Sequence, residues 1–419
     1  MLCIIVNYFL GFKVVPLKNK KAKFYLTLSI ILNVGLLVFF KYCNFFIQEL
    51  NNLFAFSNST LNLPILHIVL PIGISFYTFH GISYIIDVYR GKIPAEKNIV
   101  NYALFVSFFP LLVAGPIERA EHLIPQIKSD KKFNYQQSVE GIYLIILGLF
   151  KKIVIADSLA IIVDNTYQDF QSYTALSLII AAISYSFQIY CDFSGYSDIA
   201  VGSSKLLGFE ILSNFKFPYF AKNIPEFYRK WHISLSSWFR DYLYIPLGGS
   251  KNGRLKTTRN VYLIFMLSGL WHGTNWTYIF RGFLNACLYL KVVLFKKNTS
   301  ISTSNSKIKS ALQILNTFTL VTILYVFFRS TSITNAFLYF KSIIANIYDC
   351  PEKLYNGVGL TNLHAFIYII PILFIDWKLR KDDRKVDTPF FKKISYFLII
   401  LILFKIISTE ETQYIYYNF

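Results

Sequence analysis

Charge is scarce in this chain: only 16% of its 419 residues are Asp, Glu, Lys or Arg. Soluble domains carry roughly a quarter, so a water-soluble domain of this length is excluded. Acids are scarcer than bases, 23 against 42, which leaves a formal charge of +19. In a soluble protein that excess would point to nucleic acid. Here it reads as the Lys- and Arg-rich cytoplasmic loops of a membrane protein, and no nucleic-acid partner is expected. Cysteine is sparse as well: Cys3, Cys43, Cys191, Cys287 and Cys350 lie far apart, with no CxxC and no histidine at ligand spacing. They give no sign of a metal site or of redox chemistry. No cleavable signal peptide is expected either, because Met1 to Leu10 has no basic residue ahead of its apolar run and is followed by lysines. Internal repeats and long disordered stretches are absent, and Asn298 to Ser306 is a short polar linker.

Apolar surface is what the chain has in plenty, with 54% hydrophobic and 18% aromatic residues and a mean hydropathy of +0.45. A bilayer span needs about 20 apolar residues. Apolar runs recur at residues 24–40, 61–86, 99–114, 141–163, 175–190, 261–294, 308–328, 334–347, 363–375 and 394–407. The expected fold is therefore all-α: a polytopic helical bundle forming one integral-membrane domain over residues 1–419. Several runs are short or broken by Pro110, Lys151 and Lys152, which implies re-entrant or short buried helices among the spans. The lysines from Lys13 to Lys23 mark an inner loop; Asn44 to Thr60, without Lys or Arg, is placed outside; Arg90, Lys92 and Lys97 return inside. The polar, aromatic and basic segment Asp192 to Asn260 is placed on the cytoplasmic side, as is the basic loop Lys378 to Lys393. The tail after Ser408, free of Lys and Arg, is placed outside.

Three polar clusters interrupt this apolar chain: 114–119 (AGPIER), 192–198 (DFSGYSD), and a pair formed by 231–241 (WHISLSSWFRD) and 268–273 (SGLWHG). An ionisable group at bilayer depth costs about 2.5–3.5 kcal/mol on insertion scales, so such residues face a partner or a wet cavity. His272 lies inside an otherwise apolar helix-forming run, and the flanking Gly269 and Gly273 let another backbone or a ligand approach closely. A neutral imidazole takes a proton from a hydroxyl or thiol near neutral pH, which suits a general base in acyl transfer. No GxSxG elbow, HxxxxD or activated cysteine offers a covalent alternative. His232 is either a second catalytic histidine or an interfacial one among Trp231 and Trp238. Arg240 and Asp241 either pair with each other or position donor phosphates, and Arg229 and Lys230 are either donor contacts or topological charges. Residues 248–253 lack Walker spacing and read as a basic turn. Asp192 and Asp198 lack further ligands for a metal, so helix capping or hydrogen bonding in the bundle is the better reading.

These strings resemble the membrane-bound O-acyltransferase superfamily, in its bacterial branch typified by the alginate O-acetyltransferase membrane subunit. The matching elements are AGPIER at 114–119, QIYCDFSGYSDIAVG at 188–202, FPYFAKNIPEFYRKWHISLSSWFRDYLYIPLGG at 217–249 and SGLWHG at 268–273, within a motif core of about 99–290. The resemblance implies a bundle around a central channel in the bacterial cytoplasmic (inner) membrane, with His272 as the catalytic residue and His232 as the second histidine of the signature. It implies acetyl-CoA as the acyl-donor substrate, no bound cofactor, a surface glycan as acceptor, and an extracytoplasmic SGNH-type acetyltransferase or similar partner. Trp271, Asp192 and Ser194, as members of these motifs, join Arg229, Lys230, Arg240 and Asp241 as candidate substrate- and donor-binding residues. Where relatives often read W-G-x-x-H-G, this chain has Arg281-Gly-Phe-Leu-Asn-Ala286, so Asn285 replaces a histidine. The N-terminus is also shorter than is usual for the family. Peptidoglycan O-acetylation, D-alanyl transfer to teichoic acid and, from another class, proton-coupled transport through His232 and His272 are the competing readings.

Overall fold

A computed structural model describes residues 2–14, 20–59, 61–113, 115–295, 307–347, 364–380 and 388–408. Among them every regular element is helical. Ala114, the linker 298–306, part of the loop 378–393, Cys350 and the tail after Ser408 lie outside the described residues. The chain divides into two compact units, Met1–Lys132 and Phe133–Phe419.

In the first unit α1 (Leu2–Val14), α2 (Lys20–Leu37) and α4 (Ile74–Tyr89) pack together, with α2 running through a π-helical turn at Val38–Tyr42 into α3 (Cys43–Phe56). Their contact is polar at its centre: Asn7 Nδ2 donates to Asn33 Oδ1 (3.0 Å) and Ser29 Oγ donates to Asn7 Oδ1 (2.7 Å), all three residues buried. With no water to compete, apolar helices gain specificity from such bonds. The apolar run at 61–86 does not form one span, because residues 61–71 are non-helical and α4 starts only at Ile74. Pro64 and Pro71 explain this, since each lacks a backbone donor and disfavours the α conformation in the residue before it. After α5 (Ile99–Ser107), the first polar cluster leads into α6 (Ala120–Lys128). There the buried Glu118 accepts a hydrogen bond from His122 Nδ1 (2.9 Å), and its backbone N–H donates to His80 Nε2 (3.2 Å).

The second unit is built on α9, Ala175–Leu206, whose 32 residues span about 48 Å at 1.5 Å per residue. The Thr174 side chain accepts from Ser177 N–H at its start, and Gly208, with φ of +79°, follows its end. It packs against α7 (Tyr135–Leu149), α8 (Asp157–Gln168), α14 (Lys307–Arg329) and α15 (Ile333–Ala345). The cluster Asp192 to Asp198 therefore continues a buried helix, where the sequence suggested the start of a polar segment. Of the two roles expected for its acids, helix capping or hydrogen bonding in the bundle, the structure shows the second. A π-helical stretch, Phe150–Ala156, joins α7 to α8 and supplies two consecutive lysines. Lys151 Nζ lies 2.8 Å from Asp198 Oδ2, while Lys152 Nζ lies 2.9 Å from Asp192 Oδ1 and 2.8 Å from Asp157 Oδ1.

Beyond α9, two short helices, α10 (Ile224–Lys230) and α11 (Ile233–Phe239), precede a tight antiparallel pair, α12 (Arg254–His272) and α13 (Trp276–Phe295). A Cβ on Gly269 would collide with the Tyr278 carbonyl oxygen, and one on Gly282 with the Phe265 carbonyl oxygen. The glycines thus allow the close backbone approach expected of Gly269. Two more helices among the described residues, α16 (Ile369–Leu379) and α17 (Pro389–Ser408), belong to this unit. Among the described residues four continuous helices, Lys20–Phe56, Ala175–Leu206, Trp276–Leu294 and Lys307–Arg329, are long and apolar enough to cross a membrane.

Candidate active site

His272 is the last residue of α12, where the α12–α13 turn begins, and it is 7% exposed. Its imidazole packs against Trp271 (ring centroids 5.1 Å apart) and edge-on against Phe328 of α14 (5.5 Å). His232 sits between α10 and α11 with φ of +46° and ψ of 56°, a left-handed conformation that few non-glycine residues adopt. The turn is held by its neighbours: Trp231 N–H donates to the Phe227 carbonyl (2.8 Å) and Ile233 N–H to the Asn214 carbonyl (2.9 Å). The His232 ring is clasped edge-on between Phe193 of α9 (4.7 Å) and Trp271 (5.8 Å). The Trp271 indole thus contacts both imidazoles.

Both histidines line one cavity of about 350 Å³. Its wall is formed largely by residues of α10, α11, α12 and α13, with Tyr228, Phe265, Tyr278 and Tyr289 among its aromatic members. Arg229 and Arg240 also line it, and both are exposed, so a basic side of the cavity meets solvent or headgroups. Arg240 Nε donates to Asp241 Oδ1 at 2.8 Å, the pairing that sequence adjacency suggested. His232 lies outside the four long apolar helices, and burial pushes its pKa down to about 3. Neither of its ring nitrogens has a hydrogen-bond partner among the described residues. It is a neutral imidazole at any physiological pH, with donor and acceptor capacity unused.

Of the sequence candidates, His272, His232, Arg229 and Arg240 are brought together on one wall, with Trp271 behind the imidazoles and Asp241 tied to Arg240. The structure does not bring the rest to this cavity. Lys230 pairs with Glu226 (2.8 Å) and lines a separate recess with Lys216, Lys222 and Arg380. Asp192 is paired with Lys152, and Ser194 is wholly buried in α9. Phe193, between them in sequence, packs against the His232 ring. Sequence reasoning missed Ser268, Tyr278 and above all Arg281 as lining residues, and treated Asn285 only as a departure from a motif. The signal available for Arg281 was a cation in the middle of an apolar run.

A buried pair of imidazoles lines one cavity of a bundle whose long helices are apolar enough to cross a membrane, and known proteins similar in sequence supply the family. The profile of the membrane-bound O-acyltransferase (MBOAT) family matches residues 92–339. The chain is 43% identical over 333 residues to the probable alginate O-acetylase AlgI of Pseudomonas syringae pathovar tomato, covering 78% of this chain and 62% of that protein. It is 38% identical over 374 residues to the probable alginate O-acetylase AlgI of Pseudomonas aeruginosa, covering 88% and 70%. With the peptidoglycan O-acetyltransferase of Helicobacter pylori it shares 31% identity, covering 99% of this chain and 86% of the relative. The match thus spans less than two thirds of the first relative's length. This chain belongs to the membrane-bound O-acyltransferase family, and with its apolar helices it is a multi-pass membrane protein.

Proposed function

We propose that this protein is an O-acyltransferase that moves an acetyl group from acetyl-CoA, entering from the cytoplasm, to an extracytoplasmic polysaccharide. The observation that carries the reading is the placement of His272 and His232 on one cavity that is also lined by two exposed cations, Arg229 and Arg240. The exposed guanidinium groups suit the phosphates of a nucleotide-bearing donor. The aromatic interior suits an acyl thioester and excludes water that would hydrolyse it.

In this mechanism His272 accepts the proton of the acceptor hydroxyl, or of a serine on an SGNH-type partner, as that oxygen attacks the thioester carbonyl. His232, neutral and clasped by Phe193 and Trp271, orients the reacting groups by hydrogen bonding and does not itself store a charge. The bacterial cytoplasmic membrane is the location that joins a cytoplasmic donor to an outer glycan. The decisive experiment replaces His272 by Ala and measures O-acetyl groups on the surface glycan, together with transfer from radiolabelled acetyl-CoA in proteoliposomes. Loss of both at normal protein level is expected; unchanged acetylation would sink the proposal.

A second acceptor is favoured by one observation, the nearly full-length match to a peptidoglycan O-acetyltransferase. Comparing O-acetyl content of purified peptidoglycan and of secreted polysaccharide, with and without the gene, separates the two.

A further inference from the structure

Arg281 lies in the second turn of α13, inside one of the four helices apolar enough to cross a membrane, and is 8% exposed. A guanidinium at such depth is costly to insert and is kept for a purpose. Its Nε has no hydrogen-bond partner, and none of the carboxylates held in ion pairs among the described residues is held by it. What it has instead is two aromatic faces, with its central carbon 4.8 Å from the Tyr325 ring and 4.7 Å from the Phe328 ring. Those contacts fix the side chain and offset part of its desolvation, yet they leave its positive charge without an anion.

The side chain lines the same cavity as both histidines, and of the three arginines there it alone is buried. Phe328 touches both functional groups: the ring that supports Arg281 also packs edge-on against His272, 5.5 Å away. Asn285, one turn further along α13, gives one of its two amide N–H donors to the Arg281 carbonyl at 2.9 Å.

We propose that Arg281 is the catalytic cation of this cavity, supplying the hydrogen bonds and charge that stabilise the oxyanion formed when the acceptor hydroxyl attacks the thioester. This rests on the acyl-transfer reading above and deepens it. The hydroxyl oxygen bonds to the carbonyl carbon while its proton passes to the His272 imidazole. The carbonyl π pair moves onto oxygen, and the buried guanidinium receives that new negative charge. On collapse the pair re-forms the carbonyl, the carbon–sulfur bond breaks, and the departing thiolate takes the proton from the imidazolium.

The test is acetyl transfer by full-length protein in proteoliposomes, with wild type, Arg281→Ala, Arg281→Gln, Arg281→Lys and His272→Ala measured together. Arg281→Ala and Arg281→Gln are expected to lose about 10²- to 10³-fold in kcat with KM for acetyl-CoA nearly unchanged, the range seen when one oxyanion donor is removed. Arg281→Lys should keep part of the rate, and millimolar guanidinium should restore part of it to Arg281→Ala but none to His272→Ala. A merely structural arginine would not give that selective rescue. Wild-type kcat in Arg281→Gln, or a loss in Arg281→Ala that guanidinium leaves untouched while Arg281→Lys is equally inactive, overturns the proposal. An inactive wild type would instead sink the acyl-transfer reading itself.

Discussion

His232 combines a left-handed backbone with a sealed side chain, and each property has its own consequence. Replacement by Asn, which tolerates the left-handed region, should cost less stability than replacement by Ala, by about 1 kcal/mol. Thermal unfolding of purified protein in detergent measures the difference. The ring has a pH signature as well. Its folded pKa of about 3 lies below the reference of about 6.5, so as pH falls the unfolded chain takes up the proton first. Stability from this residue is complete above about pH 6.5 and is lost progressively toward pH 3. Between pH 7 and pH 5, wild type should therefore lose more stability than His232→Asn; equal slopes would show that the imidazole is not sealed.

At the scale of elements, the π-helical stretch Phe150–Ala156 and α9 are joined by ion pairs that no local pattern predicts. Lys151 is completely buried and faces Asp198 across 47 residues of sequence. Removing one partner of a buried pair typically costs about 3–5 kcal/mol, because the other charge is left uncompensated. Lys151→Met should show a loss of that order, and the double variant with Asp198→Leu should recover most of it; additive losses would refute the coupling. The same pairs explain what the sequence concealed. The apolar runs of α9 and α14 were legible because burial in lipid or protein demands them, and His272 stood out against its apolar surroundings. Asp192 and Asp198 looked like the start of an aqueous segment because the lysines that neutralise them lie outside any window in which they can be read together. Arg281 was passed over for a related reason, as its aromatic supports, Tyr325 and Phe328, come from another helix.

Across the whole molecule, the family match ends at residue 339, yet the helices that follow are built into the second unit. Tyr190 of α9 donates to Asp376 Oδ2 of α16 at 2.6 Å, and Phe391 of α17 packs on Tyr143 of α7. A chain ending after residue 347 should consequently fail to give a monodisperse detergent-solubilised protein, judged by size-exclusion chromatography. Asp376→Asn, which keeps the shape and weakens the bond, should cost only about 1–3 kcal/mol. The contact of one indole with both imidazoles has an optical corollary. Only five tryptophans are present in the chain, and Trp271 is in ring contact with both His232 and His272. Its emission is a built-in gauge of whether the chamber is filled, readable by titration with a non-hydrolysable thioester analogue and silenced in Trp271→Phe.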